Sequence, residues 1–133
     1  MADYTKIQLE DATDVLGDYP GEMRFLAPAL GAEQGAFTWR RMPPDAGGRG
    51  SYGHFHRTQE EIYFVVEGTL TFKIGEDEFE AVAGTAVRIA PEAVRSVHND
   101  SESDAILIMA SPKLDEGAEN EVDTVDGFWP LED

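Results

Sequence analysis

The sequence predicts an all-β fold, a β-sandwich or β-barrel, on the basis of three observations. From Glu22 onward, short segments alternate apolar and polar residues with a period of two, and turns rich in Gly, Pro or acidic residues separate them. No apolar pattern of helical period exceeds about three turns. The chain has 133 residues, which is enough for one hydrophobic core and typical of one domain.

The first predicted strands follow a polar N-terminal arm, residues 1–21, which ends in a Tyr-Pro-Gly turn signal. Met23–Ala27 is the first candidate. Ala36–Met42 is the second, and its alternation places Phe37 and Trp39 on one face and Arg40 on the other. The Pro- and Gly-rich segment after it is typical of a loop.

Together with the first two strands, the remaining predicted strands form a barrel domain that spans residues 22–111. Leu70, Phe72 and Ile74 share one face and are expected to point inward. The last predicted strand is apolar on both faces and is expected to be buried on both. In chain order these strands are Tyr52–His56, Glu61–Val66, Thr69–Ile74, Phe79–Ala83, Ala86–Ala90, Val94–His98 and Ala105–Ala110.

Residues 112–133 form an acidic C-terminal tail that carries the segment Phe128-Trp129-Pro130. Two large aromatic rings offer a large apolar area, so this segment is expected to dock on the barrel or on a neighbouring subunit. Together with the apolar strand Ala105–Ala110, this surface predicts a homodimer.

Charge and composition exclude several classes of function. The chain has 27 acidic and 10 basic residues, a net charge of −17, which repels phosphate backbones and disfavours nucleic-acid and anionic-membrane partners. It has no cysteine, so any metal must be bound by His, Asp, Glu or other oxygen donors. The N-terminal residues contain no apolar segment typical of a signal peptide, so a cytoplasmic location is expected.

The excess of negative charge also predicts adaptation to high salt. Like charges repel one another in dilute buffer, and screening relieves this repulsion because the Debye length falls to about 3 Å near 1 M salt. We therefore expect the free energy of unfolding to rise with KCl concentration, as measured by urea denaturation. A fold equally stable at low salt would point to an ordinary acidic protein.

The segment from Gly48 to Gly68 carries the strongest chemical signal. His54 and His56 are separated by one residue, so they lie on the same face of a strand. Glu61 follows at the start of the next strand. Two imidazoles on one face and a carboxylate on the next strand are expected to form half of a coordination shell for a divalent metal.

These residues resemble the first motif of the cupin superfamily. The spacing Gly48-x5-His54-x-His56-x4-Glu61-x6-Gly68 has every fixed residue of that motif. The resemblance extends to a group of small single-domain cupins through residues 53–61, the later pattern Pro91-x3-Arg95-Ser96 and the terminal Phe-Trp-Pro segment.

The second cupin motif is only partly present. Gly84 and Pro91 are there, with one extra residue between them. Ala93 replaces the second glycine of the motif, Ser96 replaces its histidine, and Asp100 stands for its asparagine.

The resemblance implies a double-stranded β-helix, or jelly-roll cupin barrel, that is often dimeric and binds a metal through three histidines and a glutamate. His54, His56 and Glu61 match three of these ligands, and Ser96 matches the fourth, although a serine is a poor ligand for Fe, Mn, Zn or Ni. His98, two residues later, is either a displaced fourth ligand or a hydrogen-bonded core histidine. Without it, the site is a two-histidine, one-carboxylate triad, which suits Fe(II).

Candidate substrate-binding residues share the faces of these ligands. Tyr52 lies on the face of His54, and Tyr63 on the face of Glu61, so either hydroxyl is placed to bind a substrate or a backbone partner. Arg95 lies beside the substituted ligand position and is the leading candidate for binding an anionic group. Arg40 and Arg88 are alternatives for that role, or they pair with surface carboxylates.

Three functions are open to a protein with a site for a small molecule. The first is a metal-dependent enzyme, such as an Fe(II) dioxygenase or a Lewis-acid isomerase or lyase. The second is a binding module for a metabolite or sugar, with or without metal. The third is a metal-free sugar isomerase or epimerase in which a histidine acts as general base.

Overall fold

The computed structural model describes residues 3–114 and 120–131 and consists mainly of β-strands. A 3-10 turn, Leu9–Asp11, precedes the strands, and one short helix, α1 (Leu26–Leu30), interrupts them. The strands are β1 (Glu22–Phe25), β2 (Gly35–Met42), β3 (Ser51–His56), β4 (Glu61–Glu67), β5 (Thr69–Ile74), β6 (Asp77–Val82), β7 (Ala86–Ile89), β8 (Arg95–His98), β9 (Ala105–Pro112) and β10 (Val122–Trp129).

The strands form two five-stranded sheets with antiparallel pairing. The first sheet has the order β1-β2-β9-β4-β7 and the second has the order β10-β3-β8-β5-β6. From β2 to β10 the chain passes back and forth between the sheets, except at the hairpin of β5 and β6. This is the jelly-roll arrangement, and it confirms the predicted all-β fold class.

The hydrophobic core lies between the two sheets. Leu70 and Phe72 of β5 are fully buried, as their alternation predicts, and they pack with Val65 of β4 and Leu107 of β9. A turn connects β4 to β5 at Gly68, whose φ is +78°, a left-handed value that costs glycine no steric strain. The core therefore fixes which face of each strand points toward the site.

The outer face of the first sheet is less covered than the sequence predicts for its last strand. Ala105 and Leu107 of β9 are buried, whereas Ile106 and Ile108 on the other face are only half-buried. Neighbouring apolar side chains on this outer face are more exposed. Phe37, Ile62 and Phe64 are 40–49% exposed. Homodimerisation through this apolar face remains a prediction, which sedimentation velocity in high salt tests.

The first predicted strand is shorter than expected. Met23–Ala27 is a strand only as far as Phe25, and α1 begins at the next residue. Pro28 lies in the first helical turn, where its missing N–H costs nothing. Gly31 ends the helix in a left-handed conformation, with a φ of +68°.

The predicted C-terminal tail contributes a strand to the second sheet. Residues 122–129 form β10, which pairs with β3 at the sheet edge. Trp129 is 2% exposed, its indole N–H donates to Glu78 at 3.2 Å, and the Arg49 guanidinium lies 4.5 Å from its ring centre. The aromatic segment thus docks on its own domain. The part of the tail at residues 115–119 lies outside the described residues.

None of the helices in residues 3–114 and 120–131 has both the length and the apolar character needed to cross a bilayer.

Candidate metal centre and ligand cavity

Three predicted ligands meet where β3 and β4 face each other across the core. His54 and His56 project from the same face of β3, because they are two residues apart. Glu61 begins β4 and shares its buried face with Tyr63 and Val65. The neighbouring Glu60 points outward, where it forms an ion pair with Arg88 on the surface.

The side chains of these three residues converge. One oxygen of Glu61, Oε1, lies 3.3 Å from Nε2 of His56 and 3.7 Å from Nε2 of His54. One ligand atom from each of the three residues lies within 4.8 Å of the others. The two imidazole rings meet edge to face, with centres 5.2 Å apart. The arrangement therefore directs two nitrogen donors and one oxygen donor at a common point.

The protonation states of His56 and Glu61 are those that can bind a cation. Burial lowers the pKa of His56 more than the nearby Glu61 carboxylate raises it, which favours a neutral imidazole with a free lone pair. Burial raises the pKa of Glu61, but His54, His56 and Arg95 together hold it below its usual value. Glu61 is therefore an anion that offers its oxygens.

Tyr63 and Arg95 complete the surroundings of Glu61. The Tyr63 hydroxyl donates to Oε1 at 3.1 Å, and burial together with the Glu61 charge raises the pKa of Tyr63, so the hydroxyl keeps its proton. Nη2 of Arg95 lies 3.5 Å from the same oxygen. The Arg95 side chain is fully buried, and its Nη1 also donates to the carbonyls of Pro91 and Ala93.

Strand register explains why Arg95 is near this cluster and Ser96 is not. Arg95 lies opposite His54 in the β3–β8 pair and opposite Ile74 in the β5–β8 pair. Opposite residues of an antiparallel pair share a face, so Arg95 shares the inner face with His54. Ser96, which matches the fourth ligand position of the cupin motif, therefore lies on the other face.

His98 shares that other face and is not part of the cluster. Its Nδ1 accepts a hydrogen bond from the Arg49 backbone N–H at 3.2 Å, and its Nε2 lies 3.1 Å from Asp45 Oδ1. The ring also meets Trp129 edge to face. Of the two roles that the sequence leaves open, this geometry supports the hydrogen-bonded histidine and gives no support to a fourth ligand.

Glu121 is a neighbour of His56 that sequence reasoning missed. Its Oε2 lies 3.5 Å from Nδ1 of His56, a nitrogen that has no hydrogen-bond partner among the described residues. A carboxylate behind a ligating histidine fixes the orientation of the ring and raises its basicity. Glu121 lies far from His56 in sequence, and only the pairing of β10 with β3 brings it there.

The Glu121 carboxylate is held strongly in its charged form. Burial alone raises the pKa of Glu121, but hydrogen bonds from the Thr58 hydroxyl and the backbone N–H groups of Thr58 and Gln59 lower it to about 2. The folded state therefore binds the Glu121 proton more weakly than the unfolded chain does, so Glu121 stabilises the fold at neutral pH.

This pKa predicts an acid-sensitive contribution to stability. The ordinary value is near 4.5, so the contribution of Glu121 is complete above that pH and is lost as the pH falls toward 2. We expect Glu121→Gln to lower the free energy of unfolding at pH 7 by about 1–3 kcal/mol. We also expect the variant to lose less stability than the wild-type protein as the pH falls from 4.5 toward 2. Urea denaturation of chelator-treated protein over a pH series measures both effects.

The exposed neighbour Asp123 supplies the control for this experiment. Its side chain is 55% exposed, so Asp123→Asn is expected to change stability little at any pH. If Glu121→Gln lost as much stability at acid pH as the wild-type protein does, other carboxylates would be responsible for that loss.

A cavity of about 340 Å³ opens beside the cluster, on the side of His54. Tyr52, which is 55% exposed, and the buried Tyr63 and Arg95 all line this cavity, as does Arg40. The three candidate substrate-binding residues therefore line the same cavity. Their role in binding remains a prediction.

Comparison with known proteins agrees with this architecture. A family model described as a cupin domain matches residues 40–111, which is more than half of the chain. No curated protein matches the sequence.

Several solved structures share the fold at low sequence identity. A cupin protein from Bacteroides fragilis is 23% identical, covers 87% of this chain and 89% of its own, and has a TM-score of 0.68. A sugar phosphate isomerase of the cupin superfamily from Silicibacter pomeroyi is 19% identical, with 96% coverage of both chains and a TM-score of 0.71. The polyketide cyclase RemF from Streptomyces resistomycificus is 17% identical, covers 85% of this chain and 88% of its own, and has a TM-score of 0.66.

Proposed function

The chain belongs to the cupin family, and from this premise we propose that it binds a divalent metal through His54, His56 and Glu61 and binds or transforms a small metabolite in the adjoining cavity. The observation that carries the proposal is the convergence of one ligand atom from each residue within 4.8 Å. Fe, Mn, Zn and Ni all accept this mixture of imidazole and carboxylate ligands.

The donor set fits a metal. Two donors that are each about 2.0–2.2 Å from one metal, at right-angled or tetrahedral positions, are about 3.0–3.5 Å apart. The Glu61 oxygen lies 3.3 and 3.7 Å from the two imidazole nitrogens, which is close to that separation. Nδ1 of His56, which has no hydrogen-bond partner in the part of the chain that the structure describes, faces Glu121, as expected for a ligating histidine backed by a carboxylate.

A metal at this position would supply a Lewis acid with free positions toward the ligand. The side chains of this chain supply the rest of the site. Tyr63 holds Glu61 in place through its hydrogen bond, and Glu121 orients His56. His54 is the most exposed of the three ligands, with 32% of its side chain accessible, so it borders the bound metabolite directly.

Elemental analysis of the purified protein tests the metal. The proposal requires about one divalent ion per chain after dialysis without chelator, and a chain that remains free of metal after incubation with each of the four metals contradicts it. Activity assays then separate the chemical classes, because an Fe(II) oxygenase stops under nitrogen and a Lewis-acid enzyme does not.

A metal-free function is the second candidate, and the position of Arg95 favours it. The guanidinium and the Tyr63 hydroxyl already approach the Glu61 oxygen that would bind a metal. In such a site His54 would act as general base, or the cavity would only bind a sugar or metabolite. The fold shared with the Silicibacter pomeroyi sugar phosphate isomerase is compatible with this alternative. Catalytic activity that survives complete removal of metal, or a wild-type chain that takes up no metal, would select it.

A further inference from the structure

Arg40 reaches the cavity from the sheet opposite the histidines. It lies in β2, opposite Leu107 of β9, which is fully buried, and opposite Met23 of β1. Because opposite residues share a face, Arg40 projects from the inner face of the first sheet. Its side chain lines the same cavity as His54 and Arg95.

Among the described residues, Arg40 differs from the other arginines in having no carboxylate partner. The chain contains seven arginines, and in the described residues six form an ion pair with an Asp or Glu: Arg24, Arg41, Arg49, Arg57, Arg88 and Arg95. Within residues 3–114 and 120–131, Arg40 forms no ion pair, and its Nε is buried without a hydrogen-bond partner.

An unpaired guanidinium is unexpected in a protein with 27 acidic residues. A partly buried cation without a partner destabilises the fold, and burial lowers the pKa of Arg40 accordingly. The nearby side chains that act on it electrostatically are those of Tyr19, Tyr63 and Tyr52, and none of them is a carboxylate. Among the described residues, the negative charge that would complement Arg40 is therefore missing from its own side of the cavity.

We propose that the cavity binds a small organic anion whose carboxylate or phosphate group pairs with Arg40. A guanidinium presents a planar fork of donors that matches either group in a bidentate manner. Arg95, whose Nε is also buried and has no partner among residues 3–114 and 120–131, lines the same cavity beside His54 and Glu61. The remainder of the anion then extends from Arg40 toward the candidate metal centre.

The size of the cavity limits the ligand further. A volume of about 340 Å³ is at the lower end of the range for small-molecule sites. This corresponds to a small metabolite that carries at least one anionic group. The proposal rests on the proposed function only in that the cavity takes a small molecule, and it holds with or without a metal.

Calorimetric titration of chelator-treated protein with three probes tests the proposal. The probes are inorganic phosphate, succinate and the neutral polyol erythritol, each at the same ionic strength. We expect at least one anion, and not erythritol, to bind at millimolar concentration. Preference between phosphate and succinate identifies which of the two anionic groups the cavity takes.

The variants Arg40→Met and Arg41→Met form a matched pair. Arg41 is adjacent, points outward and pairs with Glu22 and Asp104. We expect Arg40→Met to weaken anion binding about tenfold or more and Arg41→Met to leave it unchanged. Arg40→Met should also raise the urea midpoint of the protein without ligand, because it removes a partly buried charge whose Nε has no partner among the described residues. If Arg40→Met does not fold, Arg40→Gln serves in its place.

Three results would overturn the proposal: no anion binds the wild-type protein, Arg40→Met binds it as tightly, or Arg41→Met loses binding equally. The test is independent of the metal. Arg40→Met is expected to keep the metal content of the wild-type protein while it loses anion binding, so a failed metal site and a failed anion site give different results. Anion binding that persists in Arg40→Met but disappears in protein with His54→Ala and His56→Ala would place the anion at the histidines instead.

Discussion

Protein that carries His54→Ala together with His56→Ala is expected to retain no divalent metal, in contrast to about one ion per wild-type chain. The two substitutions remove both nitrogen donors and leave a single carboxylate, which already lies 3.5 Å from Arg95. One carboxylate oxygen beside a guanidinium cannot hold a transition metal against dialysis. Elemental analysis of the two proteins, purified and dialysed together, measures the difference.

The third histidine of the chain provides the control for this result. His98 lies on the opposite face of β8, with hydrogen-bond partners at both ring nitrogens. His98→Gln is therefore expected to keep the metal content of the wild-type protein, whatever it does to stability. Metal content that is unchanged in the double variant, or lost only in His98→Gln, would show that the metal centre has been placed wrongly.

Trp129→Ala is expected to lower the free energy of unfolding by about 3–5 kcal/mol, the usual cost of removing a large buried aromatic side chain. Trp129 is 2% exposed and packs against His98 and the Arg49 guanidinium. Its removal also takes away the indole donor of Glu78. Such a loss is a large fraction of the stability of a domain of this size.

Urea denaturation in high salt measures this effect, and Leu131→Ala is the matched control. Leu131 lies two residues further along the same segment and is 71% exposed, so its truncation should change stability by no more than about 0.5 kcal/mol. Equal stability of Trp129→Ala and the wild-type protein would mean that the C-terminal strand is not part of the cooperative fold.

The sequence predicted the parts of the fold and site that depend on local pattern. Strand periodicity identified the inward faces of β4 and β5, because side chains alternate strictly along a strand. The same rule put His54 and His56 on one face. Spacing alone indicated that Glu61, rather than Glu60, points inward, and the ion pair of Glu60 with Arg88 on the surface agrees with this.

The alternation of residues did not predict the inward face of β8, because that face depends on which strands pair and in which register. The cupin motif aligns Ser96 with the fourth ligand, and alternation then puts His98 on the same face. The register of β8 against β3 and β5 reverses this assignment and turns Arg95 inward. A shift of one residue exchanges the two faces of a strand, and no local signal in Val94–His98 fixes that choice.

The sequence by itself therefore predicted an all-β cupin fold and the three groups His54, His56 and Glu61, since the spacing along two consecutive strands is enough to identify them. Only the tertiary structure decided what surrounds them. Arg40 on the far sheet and Glu121 beside β10 reach the site through long-range strand pairing, which sequence distance does not encode. The charge of the cavity, and with it the proposed anionic ligand, is a property of the assembled sheets.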